Sequence, residues 1–177
     1  PLVWCDAPMP PLPSLGWSEL DGGETAARFV RELERLGNLS GRAAKLAEKD
    51  MEHARNIVRR LMWMLNDESG GAGWGAPEAM GETLARSRAL AAEYAHILTS
   101  FIKKDGNYIE NKALQRGVLW GIGRLAQVEP KLVKDAGQHL APFLKSDDAS
   151  LRGLAAWIAG LIREKSVRSY LEDLADD

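Results

Sequence analysis

Hydrophobic positions recur with helical spacing from Glu24 to the end of the chain. The first apolar stripe contains Ala26, Phe29, Val30, Leu33 and Leu36. A second, longer stripe contains Ala47, Met51, Ala54, Val58, Leu61 and Leu65. Spacings of three and four place apolar side chains on one face of a helix. No segment alternates apolar and polar residues over the length of a strand, so the pattern predicts an all-α protein.

Turn-forming residues divide these stripes into separate helices. The second stripe could be interrupted near Lys49-Asp50, which would divide it between a short helix and a longer one. We expect Pro77 at the first position of the next helix, where the N–H that proline lacks would be unpaired anyway. Towards the C-terminal end the pattern predicts a helix around 90–101 and further helices at about 110–127, 131–145, 149–163 and 166–175.

The first 23 residues differ in composition from the rest of the chain. They contain five prolines, which fix φ and remove hydrogen-bond donors. We therefore expect an extended, Pro-rich, partly polyproline-like arm over residues 1–23, ahead of a helical repeat domain over residues 24–177. Trp4 and Trp17 could attach the arm to the domain. The alternative is a disordered tail, since disorder is concentrated at termini.

One helix-sized pattern occurs three times, each time starting with an aliphatic residue and ending six positions later in tryptophan. The three tryptophans are Trp63, Trp120 and Trp157. The 37 residues between the second and the third equal the length of a two-helix repeat unit. The first spacing is 20 residues longer, and we assign the excess to a glycine-rich stretch after Leu65 and to the loop around 105–111. We expect the tryptophans at equivalent places on the second helices of stacked pairs.

The best copy extends over residues 141–160 and resembles a known repeat family. It contains a helix that ends in Phe143-Leu144, an Asp-rich turn, an aliphatic-Arg pair, two alanines before the tryptophan, and Gly160. This order resembles the HEAT-like repeat of the PBS-lyase (bilin lyase) type, in its uncharacterised bacterial branch. The resemblance covers roughly residues 50–177 and implies a short right-handed α–α superhelix, a HEAT-like solenoid of three to four helical pairs.

A ridge of arginine and tryptophan is the first candidate ligand-binding site. Helix geometry places Arg59 and Arg116 one turn from Trp63 and Trp120, and the third copy adds Trp157. If the second helices line the concave surface, as the resemblance implies, these groups lie along one groove. Aromatic rings beside guanidinium groups suit peptide, aromatic or anionic ligands. Two alternatives stay open: the tryptophans could pack between helices, or the N-terminal arm could cover them.

The second candidate site is the insertion over residues 66–76. It contains Asp67, Glu68, Trp74 and four glycines. A loop of this length inside a compact repeat is often functional. The ending of a phosphate-binding loop and the Asp spacing of a calcium-binding hand are both absent. The alternative is a sharp turn, permitted by glycine, that returns the chain to the repeat.

Metal binding and catalysis have little support in the sequence. The three histidines are 43 residues apart, but they fall at different places of the repeat and form no close pair. Asp67 and Glu68 could bind a hard cation with Glu78 and Glu82, although a helix-end role is the simpler explanation of Glu78. No nucleophile lies near a base in any known motif, so we predict no catalytic residue and no cofactor.

Composition and charge indicate which classes of partner and which cellular compartment to expect. The formal net charge is −2, which disfavours nucleic acid and anionic membranes as partners. No apolar run reaches the roughly 18 residues of a membrane helix, and the Pro-rich start does not have the pattern of a signal peptide. The single cysteine, Cys5, excludes an intramolecular disulfide and fits a reducing compartment. We therefore expect a cytoplasmic protein.

The function that fits these features best is a non-enzymatic scaffold or adaptor that binds a protein or peptide. A curved repeat surface offers a long contact area without a deep cleft. The family resemblance alone implies one alternative, a lyase-like protein that acts on a bound bilin or another cofactor. A structural subunit of a larger complex is the other alternative, with self-association through the open C-terminal end as an option.

Overall fold

The computed structural model describes residues 41–65 and 73–174. The Pro-rich arm over 1–23 and the first apolar stripe lie outside the described residues. All regular structure within them is helical, which confirms the all-α prediction. The helices are α1 (41–47), α2 (Met51–Leu65), α3 (Ala76–Arg86), α4 (Arg88–Ser100), α5 (Lys112–Val128), a 3₁₀ helix (Pro130–His139), α6 (Ala141–Leu144), α7 (Ala149–Ile162) and α8 (Arg168–Asp173).

The helices form successive pairs, and each pair packs on the next one along the chain. Helix α2 packs on α3, α4 packs on both α3 and α5, and the 3₁₀ helix with α6 packs on α7. The second helices of the three pairs also pack side by side, α3 on α5 and α5 on α7. Each pair contacts mainly its neighbours, which is the arrangement of a solenoid-like repeat protein.

A continuous apolar core runs through the three pairs. Helix α2 contributes the buried residues Ala54, Val58 and Leu61, at the spacing that the sequence predicted. The largest fully buried side chains elsewhere include Met80, Leu84, Leu98, Phe101, Leu119, Ile122, Leu140 and Ile158. Burial of each such side chain stabilises the fold by about 1.5–3 kcal/mol before entropy is counted.

Glycines allow the second helices to approach each other closely. A Cβ atom added to Gly81 of α3 would overlap the backbone of Gly121 on α5. A Cβ atom added to Gly123 on the same helix would overlap the indole ring of Trp157 on α7. The α3–α5 contact is therefore backbone against backbone, whereas the α5–α7 contact places a large ring over a residue without a side chain.

Three sequence predictions of helix boundaries have different outcomes. The break near Lys49-Asp50 is confirmed, because α2 begins at Met51 and the Asp50 carboxylate accepts a hydrogen bond from the His53 N–H at 3.0 Å. Helix α7 lies within one residue of its predicted bounds. The single helix predicted over 131–145 is wrong: a 3₁₀ helix and the short α6 replace it. Pro142 cannot donate a backbone hydrogen bond, so one α-helix cannot continue through it.

The register predicted for the three tryptophans is also wrong. Trp63 lies on α2, the first helix of its pair, whereas Trp120 and Trp157 lie on the second helices α5 and α7. The second helix that stacks on α5 is α3, and the contact between Gly81 and Gly121 aligns Met80 with Trp120. The tryptophan pattern therefore matched a first helix to two second helices.

Candidate functional site

The structure does not contain the predicted ridge of three exposed tryptophans. Trp120 and Trp157 are only 4% and 8% exposed and belong to the core. The alternative in which tryptophan packs between second helices therefore applies to Trp157, whose ring covers Gly123. Its Nε1–H is buried and has no hydrogen-bond partner, so ring packing rather than a polar contact holds the indole in place.

Arg116 has a structural partner in the next repeat. Its Nε and Nη2 atoms donate to the same Oδ2 of Asp148, at 2.9 Å and 2.5 Å. Both side chains are largely buried, with 16% and 8% of their surfaces exposed. The other Asp148 oxygen caps α7 by accepting from the N–H groups of Ser150 and Leu151. Arg116 therefore connects α5 to the start of α7 and is not a free anion-binding group.

The glycine-rich insertion is only partly described. Asp67 and Glu68 lie outside the described residues, whereas Trp74 is half-buried just before α3. Gly75 adopts a φ of 80°, a left-handed conformation that favours glycine, and it is the residue before α3 begins. The proposed cation site gains no support from Glu82, whose carboxylate is paired with Arg86 and with Arg124 at 2.7 Å.

Glu78 is a half-buried acid whose carboxylate points into the structure beside α5. A Cβ atom added to Gly117 of α5 would lie 2.6 Å from each of its carboxylate oxygens, so the missing side chain makes room for the acid. Its Oε2 is buried and has no hydrogen-bond partner. Burial raises the pKa of Glu78 to about 7. The sequence placed Glu78 in a first helical turn, but it gave no sign of this burial.

The exposed face of α2 carries a surface groove. Trp63 is 76% exposed, while Trp120 and Trp157 are buried. The groove has a volume of about 580 Å³. It is lined by Leu46 of α1 and by six residues of α2, His53, Asn56, Ile57, Arg59, Arg60 and Trp63. We call it the Trp63 groove.

Basic and apolar side chains both line the Trp63 groove. Arg59 is held in position by Glu52, whose Oε1 accepts from Nη1 at 2.7 Å, and by the Asn56 amide oxygen at 2.9 Å. The neighbouring Arg60 forms no ion pair with any residue in the described part of the chain. Of the predicted site residues, the structure thus brings Arg59 and Trp63 together. The sequence analysis missed Leu46, Ile57 and Arg60, although Arg60 lies one helical turn from Trp63 and Ile57 one turn from Arg60.

A smaller cavity of about 210 Å³ lies beside the loop between α4 and α5. Ile102 and Phe143 are its buried apolar walls, and Tyr108 and His139 lie at its side. The Tyr108 hydroxyl accepts a hydrogen bond from Gln115 Nε2 at 3.1 Å, which fixes the ring. This loop is one of the two places where the sequence predicts extra length between repeats.

Residues 41–65 and 73–174 contain no cluster of three or more His, Cys, Asp or Glu side chains that could hold a metal ion. His53 instead pairs with the Asp50 carboxylate at 2.7 Å. None of the described helices combines the length and the apolar character that crossing a membrane requires.

Comparison with known proteins agrees with this geometry in one part of the chain. Residues 112–158 match a protein family described as HEAT-like repeat. The chain contains a HEAT-like repeat. The matched span begins with α5 and ends in α7, and it includes the 3₁₀ helix and α6 between them. No curated protein and no solved structure matches the chain.

Proposed function

We propose that the protein is a non-enzymatic scaffold of the HEAT-repeat type that binds a protein or peptide segment in the Trp63 groove. The observation that carries this proposal is the 76% exposure of Trp63 on an ordered helix. The second exposed large apolar side chain of the described residues is Val128, at 45%. HEAT-like repeats commonly form interaction surfaces, so the fold and the groove point to the same class of function.

An exposed tryptophan on a rigid helix suits a binding anchor. Tryptophan is enriched among the residues that dominate binding energies, because its large ring loses much water contact when a partner covers it. The buried face of α2, with Ala54, Val58 and Leu61, fixes the helix to α3. The anchor is therefore held in place before a partner binds, which reduces the entropy lost on binding.

The charged side chains of the groove indicate which chemical groups a partner should present. Arg59 is fixed by Glu52 and Asn56, whereas Arg60 is left without a described ion-pair partner. A partner that presents an apolar side chain to Trp63 and a carboxylate to Arg60 satisfies both groups. We therefore expect an amphipathic, locally acidic protein segment rather than a nucleic acid or a free metal ion.

The experiment is affinity capture with the immobilised full chain, followed by mass spectrometry. Trp63→Ala should abolish capture of the specific partner without loss of helicity, because the side chain contributes little to the core. Val128→Ala is the matched control, since it shortens an exposed apolar side chain at the end of α5. Equal capture by wild type and Trp63→Ala contradicts the proposal.

Several finer features are also proposals. The repeat pattern of residues 141–160 suggests the PBS-lyase type of HEAT repeat and a right-handed superhelix. The lyase alternative predicts coloured protein after purification or tight binding of a linear tetrapyrrole. The structural-subunit alternative predicts self-association, which light scattering across protein concentrations would detect. We favour the scaffold because a specific exposed residue supports it.

A further inference from the structure

The Trp63 groove follows one face of one helix. From His53 to Trp63 its lining residues recur every three or four positions, so the groove extends about 15 Å at 1.5 Å per residue. Ala54, Val58 and Leu61 form a different, buried face that packs on α3. The groove face thus has the shape that a second helix would cover, and it leaves Trp63 exposed in the described chain.

The chain itself carries an apolar stripe of matching length. The stripe runs from Ala26 to Leu36, eleven residues, which equals the eleven residues from His53 to Trp63. Only residues 37–40 separate it from α1, and this is an ordinary length for a connection between two helices. Helix α1 lines the groove through Leu46. The stripe is therefore tethered beside the surface that it would cover.

Charge placement along the stripe complements the groove. At about 100° per residue, Glu32 and Glu34 border the apolar stripe on its two sides. The three arginines of the segment, Arg28, Arg31 and Arg35, fall on the opposite face. A helix laid on the groove by its apolar stripe would thus direct carboxylates towards Arg59 and Arg60, and its arginines towards solvent.

We infer that residues 24–36 bind as a helix in the Trp63 groove and act as an internal ligand of the binding site. This inference rests on the proposed function, because it concerns the regulation of that same site. A short tether gives the segment a high effective concentration at the groove. An external partner must displace it, so the free protein is autoinhibited, and the partner presents a similar amphipathic helix.

Paramagnetic broadening in the full chain tests the inference. Cys5→Ser removes the single native thiol, and Arg31→Cys places a nitroxide on the face opposite the stripe. The Trp63 indole N–H signal is assigned by its loss in Trp63→Phe. We expect the Arg31→Cys label to reduce this signal by more than half. The same label at Lys165→Cys, on the exposed loop between α7 and α8, should leave it unchanged.

Two further samples define the outcomes. Adding Phe29→Glu and Leu33→Glu to the Arg31→Cys variant should restore the Trp63 signal, since charged residues in the stripe prevent docking. An unreduced Trp63 signal in the first sample overturns the inference. So does broadening that appears when isotope-labelled chains without nitroxide are mixed with unlabelled nitroxide-bearing chains, because the occupant would then be a second copy.

Failure of this inference and failure of the proposed function give different results. If Trp63→Ala loses partner capture while the label has no effect, the scaffold function stands without an internal ligand. If the label broadens Trp63 while Trp63→Ala captures the partner normally, the segment docks at a surface that partners do not use. Autoinhibition also predicts stronger partner capture by Phe29→Glu/Leu33→Glu than by wild type.

Discussion

At the scale of single residues, Glu78 shows how a glycine shapes the chemistry of a neighbouring repeat. Its carboxylate lies against Gly117, and its Oε2 has no hydrogen-bond partner. Burial disfavours the charged form, which raises the pKa to about 7. The sequence could not predict this, because burial of Glu78 depends on a glycine 39 positions away in another helix.

Glu78 makes stability depend on pH in a defined direction. The pKa of Glu78 in the folded protein, about 7, exceeds its ordinary value of 4.5. The protonated Glu78 therefore contributes its full stabilisation of the folded state below about pH 4.5, and this contribution is lost as pH rises through 7. We expect the wild type to lose up to about 3 kcal/mol of unfolding free energy between pH 5 and 8 through this group. Glu78→Gln should lack that loss.

Urea unfolding at pH 5, 6, 7 and 8 checks this prediction. The stability advantage of Glu78→Gln over wild type should grow steadily with pH. Glu110→Gln, which changes an exposed carboxylate before α5, is the control and should follow the wild-type curve. A constant difference between Glu78→Gln and wild type across this range would show that Glu78 does not titrate there.

Two helical glycines should respond in opposite ways to alanine. Gly123→Ala introduces a methyl group into the space of the Trp157 ring, and such overpacking costs about 1–3 kcal/mol. Gly153→Ala meets no atom within 4 Å, and it should stabilise α7 by roughly 0.5–1 kcal/mol through helix propensity. Thermal unfolding of both variants gives the comparison. Similar stability changes for the two variants would contradict the α5–α7 contact described here.

At the scale of helices, Asp148 performs two structural tasks with its two carboxylate oxygens. Oδ1 caps α7 and Oδ2 accepts from Arg116 of α5. Burial opposes ionisation, but the hydrogen bonds from Arg116, Leu151 and Ser150 outweigh it and keep the pKa of Asp148 below its usual value. Asn111 caps α5 with the same geometry, by accepting from the N–H groups of Ala113 and Leu114.

These two caps allow the capping and ionic contributions to be separated. Asn111→Ala should cost about 1 kcal/mol, the usual value of an N-cap. Asp148→Asn keeps a capping oxygen but leaves Arg116 without its anion, and Asp148→Ala loses both. We expect the cost to rise from Asp148→Asn to Asp148→Ala, with the latter roughly 2–4 kcal/mol. Equal costs for Asp148→Ala and Asn111→Ala in urea unfolding would exclude an ionic contribution.

Helix boundaries were predictable where local residues set them. Helix α3 begins at Ala76, one residue before the predicted Pro77, and Asp148 caps α7, so both starts follow from nearby residues. The helix predicted over 131–145 failed because apolar spacing alone does not distinguish an α-helix from the 3₁₀ helix at Pro130–His139. There, the tertiary contacts with α4, α5 and α7 accompany the tighter winding.

At the scale of the whole molecule, the sequence predicted stacked helical pairs but misplaced one register. Alignment of the repeats on tryptophan pairs Trp63 with Trp120 and Trp157. The structure aligns them on glycine instead, because Gly81 and Gly121 are where α3 and α5 touch. Met80-Gly81 corresponds to Trp120-Gly121 in that alignment. Only glycine fits where two helix backbones touch, whereas a core position accepts several apolar residue types. Glycine is therefore the better guide to the register of the repeats.

That register also explains why Trp63 is the candidate for binding. A tryptophan on a second helix is enclosed by the neighbouring pairs, as Trp120 is. A tryptophan on the outer face of α2 has no described pair beyond it. The feature that looked like a repeated core position is therefore the one large aromatic side chain that the described stack leaves open to a partner.

The dissociation constant of the captured partner tests this account most directly. It should be measured in the Phe29→Glu/Leu33→Glu background, so that the internal segment does not compete. We predict that Trp63→Ala weakens binding by about 30-fold or more, which corresponds to about 2 kcal/mol for a dominant anchor, and that Val128→Ala leaves it within about twofold. A Trp63→Ala variant that binds as tightly as the Val128→Ala variant would contradict the account.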